Sequence, residues 1–470
     1  MSAHLGHSQI QKNNAMSLRS INPATLEVVF EINEITPAEL EDKLAHSHAA
    51  SIAWRDTTFA TRSAHMQKAA NELRTQKDAL ARLVSQEVGK TLAAATTEVE
   101  KCAAVCDFYA QHAEQFLTPE IIPTEAAESY VRFDPLGVVL AVMPWNFPLW
   151  QVFRFAAPAL MAGNAGVLKH ASNVQACAAE IEGVFERAGF PSGLFANLAI
   201  GSARVGEVIR DPRIKAVALT GSEKAGADVA SIAGSEIKKT VLELGGSDPF
   251  IILPDANLEK AATVALSARM QSNAGQSCIS AKRFIVHESV ADEFSTMLKG
   301  RIDALRVGDP LDSSTDVGPL ANAQMVSDVE RQVAESIALG ARVLSGGKRP
   351  DLKGYFYMPT LLTGVTENMP VYKEEVFGPV LPIITYTDER DAVRIANDSP
   401  YGLGATIFTN NIAKAKKMAA QIESGCVFIN SQVKSDARLP FGGVKKSGYG
   451  RELSHYGIRE FVNIKTVSIN

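Results

Sequence analysis

The sequence has 470 residues, and its 47 basic and 52 acidic side chains give a formal net charge of −5. Hydrophobic residues make up 46% and charged residues 21%, which is typical of a globular protein and argues against disorder. The acidic balance argues against a nucleic-acid partner, because phosphate binding favours a basic excess. At roughly 100–200 residues per domain, the chain is predicted to form two to four domains.

The five cysteines are sparse and odd in number, which favours a reducing compartment over a disulfide framework. The N-terminal region is polar and lacks the apolar core of a signal peptide, and residues 1–16 are predicted to be a frayed tail. The longest apolar run, residues 136–145, is about half as long as a membrane span. We therefore expect a cytoplasmic protein that does not contact a membrane.

The first half of the chain contains helical and strand patterns in succession. Residues 36–117 are rich in Ala, Glu, Lys and Leu with apolar spacing near 3.6 residues, which predicts helices. The apolar residues 137–143 predict a buried strand, and residues 167–169 predict another. An amphipathic helix is predicted over residues 176–189, where Gly189 is the stop signal.

Residues 216–220 and 240–244 predict further strands, and a helical stretch follows the first of them. Strands that alternate with helices over residues 137–244 predict a mostly parallel, doubly wound sheet. The same alternation resumes afterwards and predicts a second α/β domain from about residue 246. Its strand candidates are residues 250–253, 284–286, 405–408 and 426–429.

Phosphate and metal motifs are weak. The segment from Gly201 to Gly206 lacks the middle glycine of the Gly-x-Gly-x-x-Gly fingerprint. The turn at Gly221-Ser222 could expose N–H groups to a dinucleotide phosphate, but by itself it is more typical of an ordinary strand-to-helix connection. Cys102 and Cys106 lie one helical turn apart without a histidine partner, so they are predicted to pack in a helix. No metal site is predicted.

Three residues could perform covalent chemistry. Cys278 follows a glycine-containing turn and is either a packed side chain or a nucleophile. Glu243 ends an apolar strand, where a carboxylate needs an ion pair or a function. Asn146 follows another strand and either caps a turn or donates to an oxyanion. Because ligands bind at strand ends in α/β sheets, these residues could form one site as nucleophile, base and oxyanion donor.

Six motifs identify a family resemblance. They are Met143-Pro-Trp-Asn-Phe-Pro148, Leu219-Thr-Gly-Ser222, Leu242-Glu-Leu-Gly-Gly246, Asn273-Ala-Gly-Gln-Ser-Cys278, Glu375-Val-Phe-Gly-Pro379 and Pro440-Phe-Gly-Gly-Val-Lys-Lys-Ser-Gly448. In this order they resemble the NAD(P)-dependent aldehyde dehydrogenase superfamily from about residue 20 to the C-terminus. The resemblance implies an aldehyde dehydrogenase-like α/β fold with two doubly wound α/β domains and a small β segment for oligomerisation.

The resemblance also implies the domain limits. The dinucleotide-binding domain would comprise residues 1–117 and 136–245, and the catalytic domain residues 246–457. The oligomerisation segment would comprise residues 118–135 and 458–470, which implies a homodimer or a homotetramer.

Site residues follow by the same resemblance. It implies that Cys278 is the nucleophile, that Glu243 is the general base, and that Asn146 and the backbone N–H of Cys278 form the oxyanion hole. It further implies that NAD or NADP contacts Trp145, Asn146, Lys169, His170, Ala171, Ser172, Gly221, Ser222, Leu244, Glu375 and Phe377.

Within the superfamily the sequence is most similar to succinate semialdehyde dehydrogenases. There, Arg154 and Ser435 match residues that hold the far carboxylate of the substrate, although Arg154 could instead form a salt bridge. The position six residues before the nucleophile, often a second arginine, is Ser272, and Lys434 or Arg438 could substitute for it. Another small aldehyde, such as glutarate semialdehyde, stays open as the substrate.

The cofactor prediction depends on Ser172. Relatives that prefer NAD usually have a glutamate at this position, which would repel a 2′-phosphate. Ser172 removes that repulsion and Lys169 adds attraction, so NADP should be accepted and NAD should be usable too.

Three other functions compete with aldehyde oxidation to an acid. A nicotinamide-independent thiol hydrolase or acyltransferase could use Cys278 and Glu243, although no histidine motif accompanies them. A catalytically silent scaffold is argued against by the intact site residues. A coenzyme-A-acylating dehydrogenase is disfavoured because such relatives usually lack the residue that matches Glu243.

Overall fold

The computed structural model describes residues 17–470, so the predicted tail over residues 1–16 lies outside the described residues. The strands are β1 Ser17–Ile21, β2 Val28–Asn33, β3 Glu120–Ile121, β4 Glu128–Pro135, β5 Val138–Met143, β6 Ala165–His170, β7 Phe195–Asn197, β8 Ile214–Thr220, β9 Lys239–Glu243, β10 Asp248–Ile252, β11 Ala281–His287, β12 Arg342–Ser345, β13 Thr360–Thr363, β14 Val380–Tyr386, β15 Tyr401–Gly402, β16 Gly404–Phe408, β17 Cys426–Ile429, β18 Val444–Lys445, β19 Gly448–Tyr449 and β20 Val462–Ile469.

The α-helices are α1 Pro37–Arg55, α2 Phe59–Thr75, α3 Lys77–Val88, α4 Leu92–Leu117, α5 Trp150–Met161, α6 Gln175–Arg187, α7 Val205–Arg210, α8 Glu223–Ser235, α9 Leu258–Leu266, α10 Glu288–Asp303, α11 Ala323–Ala338, α12 Pro370–Lys373, α13 Glu389–Asn397, α14 Ile412–Ala419 and α15 Ser454–Ile458.

The predicted helical region 36–117 is confirmed as the four helices α1–α4. Threonine side chains begin three of them by accepting a hydrogen bond from an N–H of the first turn. At the start of α1, Thr36 and Glu39 form a reciprocal capping box. The predicted helix over residues 176–189 is confirmed as α6, and Gly189 follows it with a positive φ of 79°.

A six-stranded sheet has the order β19-β9-β8-β5-β6-β7 and is parallel except for β19. Its central strand β5 is almost wholly buried, in agreement with its unbroken apolar sequence. The predicted doubly wound sheet is thereby confirmed. The carboxyl ends of β5, β8 and β9 lie side by side, which brings the segments after Met143, Thr220 and Glu243 to one edge.

A seven-stranded sheet has the order β12-β13-β14-β11-β10-β16-β17 and is parallel except for β12. It contains the four predicted strands of the second α/β region. Its buried side chains belong to a hydrophobic core that is separate from the core of the first sheet. Strands β13 and β14 were not predicted, because short buried runs lack the alternation that marks a half-buried strand.

A third sheet pairs β20, β4 and β3 in antiparallel fashion. Apolar side chains on this sheet are open to solvent, since Ile121 is 68% and Ile464 is 62% exposed. Among residues 17–470, no helix has the length and apolar character needed to cross a membrane.

Candidate active site

The loop after β5 and the turn before Cys278 are joined by direct hydrogen bonds. Asn146 Nδ2 donates to the carbonyl of Gln276 at 3.1 Å, and Asn273 Nδ2 donates to the carbonyl of Asn146 at 2.9 Å. Gln151 Nε2 donates to Asn146 Oδ1 at 3.0 Å and thereby fixes which side of the carboxamide carries the donors. The structure thus brings the predicted oxyanion donor to the segment of the predicted nucleophile.

Two buried contacts hold the Cys278 turn in place. Gly275 has a positive φ of 75°, and a Cβ there would lie 2.2 Å from the carbonyl oxygen of Gly378, so this close approach requires glycine. Lys282 Nζ donates to the carbonyls of Ser277 and Cys278, each at 2.8 Å. Sequence reasoning missed Lys282, because a lysine inside an apolar strand shows no pattern of its own.

The Cys278 thiol is half-buried, and burial raises its pKa to about 11. The positive charges of Arg154 and Lys282 act in the opposite direction and favour the thiolate. The negative charges of Glu375 and Glu243 act in the same direction as burial, so these carboxylates lie within electrostatic range of the thiol.

Glu243 is the last residue of β9, and its side chain is buried. Its backbone is fixed on both sides, since it pairs with Gly448 and its carbonyl accepts from Gly221 N at 3.0 Å. Neither carboxylate oxygen has a hydrogen-bond partner among the described residues. Burial raises its pKa well above the usual range, and the neighbouring carboxylate of Glu452 raises it further. A buried, unpaired carboxylate with a raised pKa is suited to general base chemistry.

Arg154 has a different environment from the one expected of a substrate anchor. Its guanidinium is buried, forms an ion pair with Glu452 and donates to Thr220 Oγ1 at 3.2 Å. It also lies 4.8 Å from the centre of the Phe441 ring. The geometry therefore favours the salt-bridge alternative over carboxylate binding. Glu452 belongs to a distant part of the chain, so the sequence did not reveal this pair.

Replacing Arg154 by methionine is expected to lower the free energy of unfolding by about 3–5 kcal/mol, because Glu452 then remains buried without its cation. Urea denaturation measures this loss, and the double variant Arg154→Met/Glu452→Gln should regain much of it. An Arg154→Met enzyme of unchanged stability, with KM raised only for a carboxylate-bearing aldehyde, would restore the anchor hypothesis.

A cavity of about 420 Å³ opens at the carboxyl ends of the first sheet. Predicted cofactor residues that line it are Trp145, Asn146, Gly221, Ser222, Leu244, Glu375 and Phe377, and Cys278 lines it as well. The cavity begins at the N-terminus of α8, where Ser222 is the cap and main-chain N–H groups suit a pyrophosphate. A Cβ on Gly245 would lie 2.4 Å from Glu375 Oε2, so glycine leaves room for this carboxylate at the cavity. These features fit a dinucleotide whose reactive end lies near Cys278.

The remaining predicted cofactor residues lie at the end of β6. Ser172 is exposed, and Ala171 is partly exposed. Lys169 is buried, and burial lowers its pKa. No carboxylate occupies position 172, so the surface there is compatible with a 2′-phosphate.

His170 differs from the sequence-based expectation of a cofactor contact. Its ring is fully buried: Nδ1 accepts from Ala171 N at 2.9 Å, and Nε2 lies 2.9 Å from the carbonyl of Pro148. Burial lowers its pKa to about 4, so the ring is neutral and Nε2–H donates to Pro148. The imidazole therefore holds the Asn146 loop instead of a ligand, because its ring is fully buried and both ring nitrogens are bonded to backbone atoms.

A second cavity of about 490 Å³ lies on the other side of the Cys278 turn. Ser277 and Ile279, the two neighbours of Cys278, line it, and so do Ser272 and Lys434. Lys101 of α4 also lines this cavity and donates to Ser435 Oγ at 2.5 Å. Sequence reasoning identified Ser435 but missed Lys101, which lies in an ordinary amphipathic helix.

Arg438 pairs with Asp436 at 2.7 Å and is 75% exposed at its side chain, so it contributes little to this cavity. Among residues 17–470, no cluster of three or more His, Cys, Asp or Glu side chains could hold a metal ion.

Comparisons with known proteins agree with this geometry. A model of the aldehyde dehydrogenase family matches residues 10–467. The chain is 52% identical to a probable NADP-dependent succinate-semialdehyde dehydrogenase of Synechocystis sp., over 97% of this chain and 100% of that protein. A succinate-semialdehyde dehydrogenase of Mycobacterium leprae, also named for NADP, is 50% identical over 97% of this chain and 100% of its own length.

A solved structure of succinic semialdehyde dehydrogenase from Streptococcus pyogenes, in complex with NADP, superimposes with a TM-score of 0.94. It is 42% identical, and the match covers 96% of this chain and 99% of that one. With five of the six motifs contributing residues to one cavity and a family model spanning nearly the whole sequence, the chain belongs to the aldehyde dehydrogenase family.

Proposed function

We propose that the protein oxidises succinate semialdehyde to succinate, with NADP as the hydride acceptor. The observation that carries the proposal is the position of the Cys278 turn between two cavities, one suited to a dinucleotide and the other containing a lysine. Full-length relatives named as NADP-dependent succinate-semialdehyde dehydrogenases support the choice of substrate and cofactor.

The first step is addition of the Cys278 sulfur to the aldehyde carbon, with loss of the thiol proton. Covalent attachment divides a difficult oxidation into two easier steps. The developing oxyanion would be held by Asn146 Nδ2 and the backbone N–H of Cys278, and removing such a donor typically costs about 10²–10³ in turnover. The hydrogen bond from Gln151 keeps the carboxamide oriented for this task before substrate arrives.

The nicotinamide, when bound, supplies the hydride acceptor of the reaction. Glu375 and Phe377 would hold its ribose and ring. Their side chains are fixed beside the cavity, since Phe377 packs edge-on against Trp145 and Glu375 pairs with Lys282 at 3.2 Å. Loss of the aldehyde hydrogen as hydride to that acceptor would leave Cys278 as a thioester. Glu243 then removes a proton from the water that hydrolyses it. The acid is released and the thiol is restored.

Ser172→Glu is expected to lower kcat/KM with NADP by about 10- to 100-fold, because two like charges a few ångströms apart repel strongly near a protein surface. The value with NAD should change little. Ser172→Gln is the matched control, which adds the bulk without the charge and should retain NADP use. Equal losses with both cofactors would contradict a 2′-phosphate at this position.

The predicted domains and assembly remain part of the proposal. The two hydrophobic cores support a division into a dinucleotide-binding and a catalytic domain. The limits given above stay a prediction, since Phe441 and Leu453 of the predicted catalytic domain belong to the first core. The exposed isoleucines of the β3–β4–β20 sheet support its use in forming a homodimer or a homotetramer. A cytoplasmic location stays a prediction from the cysteine content.

Steady-state kinetics with a panel of aldehydes, each with NADP and with NAD, test the function. We expect the highest kcat/KM for succinate semialdehyde, with glutarate semialdehyde next. A preference for uncharged aldehydes would refute the substrate. Ester hydrolysis without any increase in reduced-nicotinamide absorbance on adding aldehydes would instead favour the thiol hydrolase.

A further inference from the structure

The cavity beside the Cys278 turn contains a lysine that forms no ion pair with the described residues around it. Lys101 lies in α4, and its Nζ is 4.0 Å from the centre of the Trp150 ring. It donates to Ser435 Oγ, whose own hydrogen is then directed elsewhere. These contacts fix the positions of both side chains. Neither contact pairs the Lys101 ammonium group with a negative charge.

The neighbouring cations already have carboxylate partners. Lys90 is buried in an ion pair with Glu98, and Arg154 is buried in an ion pair with Glu452. Glu98 is further occupied, since its Oε1 accepts from the N–H groups of Leu149 and Trp150 at the start of α5. In the part of the chain that the structure describes, Lys101 belongs to none of the ion pairs.

The charged form of Lys101 is destabilised in this cavity when no anion is bound there. Burial, together with the nearby positive charge of Arg154, lowers its pKa to about 8, although the negative charge of Glu98 acts in the opposite direction. A carboxylate in the cavity would offset both effects, because it supplies the opposite charge in a partly desolvated place. Lys434 also lines the cavity, but it is exposed, so water and salt screen its charge.

We propose that Lys101 is the cationic anchor of the substrate pocket and that it binds the far carboxylate of the semialdehyde together with the Ser435 hydroxyl. The inference rests on the proposed function and names the residue that confers its substrate class. The carboxylate lies at the Lys101 side of the cavity, and the aldehyde carbon faces the Cys278 turn, whose neighbours Ser277 and Ile279 line the same space.

The test compares two aldehydes of equal chain length, succinate semialdehyde and butanal, each with NADP. The ratio of their kcat/KM values isolates the carboxylate, because steps at Cys278 and Glu243 affect both substrates. Lys101→Met keeps an apolar stem against Trp150 and removes the charge. We expect this ratio to fall by about 10- to 100-fold, the usual range for a hydrogen bond to a charged group, while kcat/KM for butanal stays near its original value.

Two further variants make the test specific. Lys101→Arg retains the charge and should keep most of the ratio. Arg438→Met removes an exposed cation that is bound to Asp436, and it should leave the ratio unchanged. If Lys434→Met lowers the ratio and Lys101→Met does not, the anchor is Lys434 and the proposal is wrong.

The pH dependence of the same ratio gives an independent readout. Lys101 is charged below its pKa, so the wild-type ratio should fall as the pH rises through about 8, whereas the Lys101→Arg ratio should stay flat. A wild-type ratio that is constant between pH 7 and pH 9.5 would overturn the proposal. The charged and titratable groups around Lys101 are Lys90, Glu98, Cys102, Arg154, Asp316 and Lys434.

The outcomes separate this inference from the proposed function. If the wild-type enzyme oxidises butanal as well as it oxidises succinate semialdehyde, the substrate assignment fails and the anchor fails with it. If the wild-type enzyme strongly prefers succinate semialdehyde and Lys101→Met retains that preference, only the anchor is wrong.

Discussion

Replacing Cys278 with serine is expected to lower turnover by at least about 10⁴-fold, as loss of a covalent nucleophile does in other enzymes. The serine hydroxyl has nearly the same size, but it ionises far less readily than the thiol and cannot form the thioester. Burial already opposes ionisation of the thiol, and the charges of Arg154 and Lys282 offset only part of that effect. A hydroxyl in the same place would need a much larger stabilisation of its negative charge in order to ionise. Reduced-nicotinamide absorbance under saturating substrate measures the loss.

Thiol labelling gives the control for the Cys278→Ser variant. Cys102, Cys106 and Cys177 are fully buried, so brief alkylation of the native enzyme should act mainly at Cys278 and at the partly exposed Cys426. Cys426→Ser should keep its activity and still be inactivated by alkylation. A Cys278→Ser enzyme with substantial turnover, or a wild-type enzyme that tolerates alkylation, would contradict the covalent mechanism.

Replacing Glu243 with glutamine should lower steady-state turnover by about 10²–10⁴-fold, the range that general base catalysis contributes. The two halves of the reaction should respond differently. Acylation of Cys278 releases one equivalent of reduced nicotinamide, while hydrolysis of the thioester requires the base. Stopped-flow absorbance should therefore show a burst close to one equivalent of active sites, followed by very slow turnover.

The pH profile provides a second measurement for Glu243. Its pKa is raised by burial and by Glu452, and the carboxyl must lose its proton to act as a base. Deacylation in the wild-type enzyme should therefore accelerate as the pH rises through that raised pKa, and this acceleration should be absent from Glu243→Gln. If the variant lost the burst together with the turnover, Glu243 would instead be needed for acylation.

Local sequence patterns predicted much of the secondary structure. The helices α1–α4 and α6 and the strands β5, β8, β9 and β10 appear where periodicity and apolar runs indicated them, because these signals depend on neighbours along the chain. The roles of Cys278, Glu243 and Asn146 could not be predicted from local patterns in this way. Each residue alone had an ordinary structural alternative, and only the six motifs together pointed to one site.

The sequence by itself determined many of the elements, the family and the residue types at the strand ends. Tertiary structure decided which of these side chains are free to act. Arg154 is neutralised by Glu452, the His170 ring is bonded to the Asn146 loop, and Lys101 reaches Ser435 across 334 residues of sequence. The physical reason is that a charge acts according to its partners and its burial, and both depend on contacts between segments far apart in the chain.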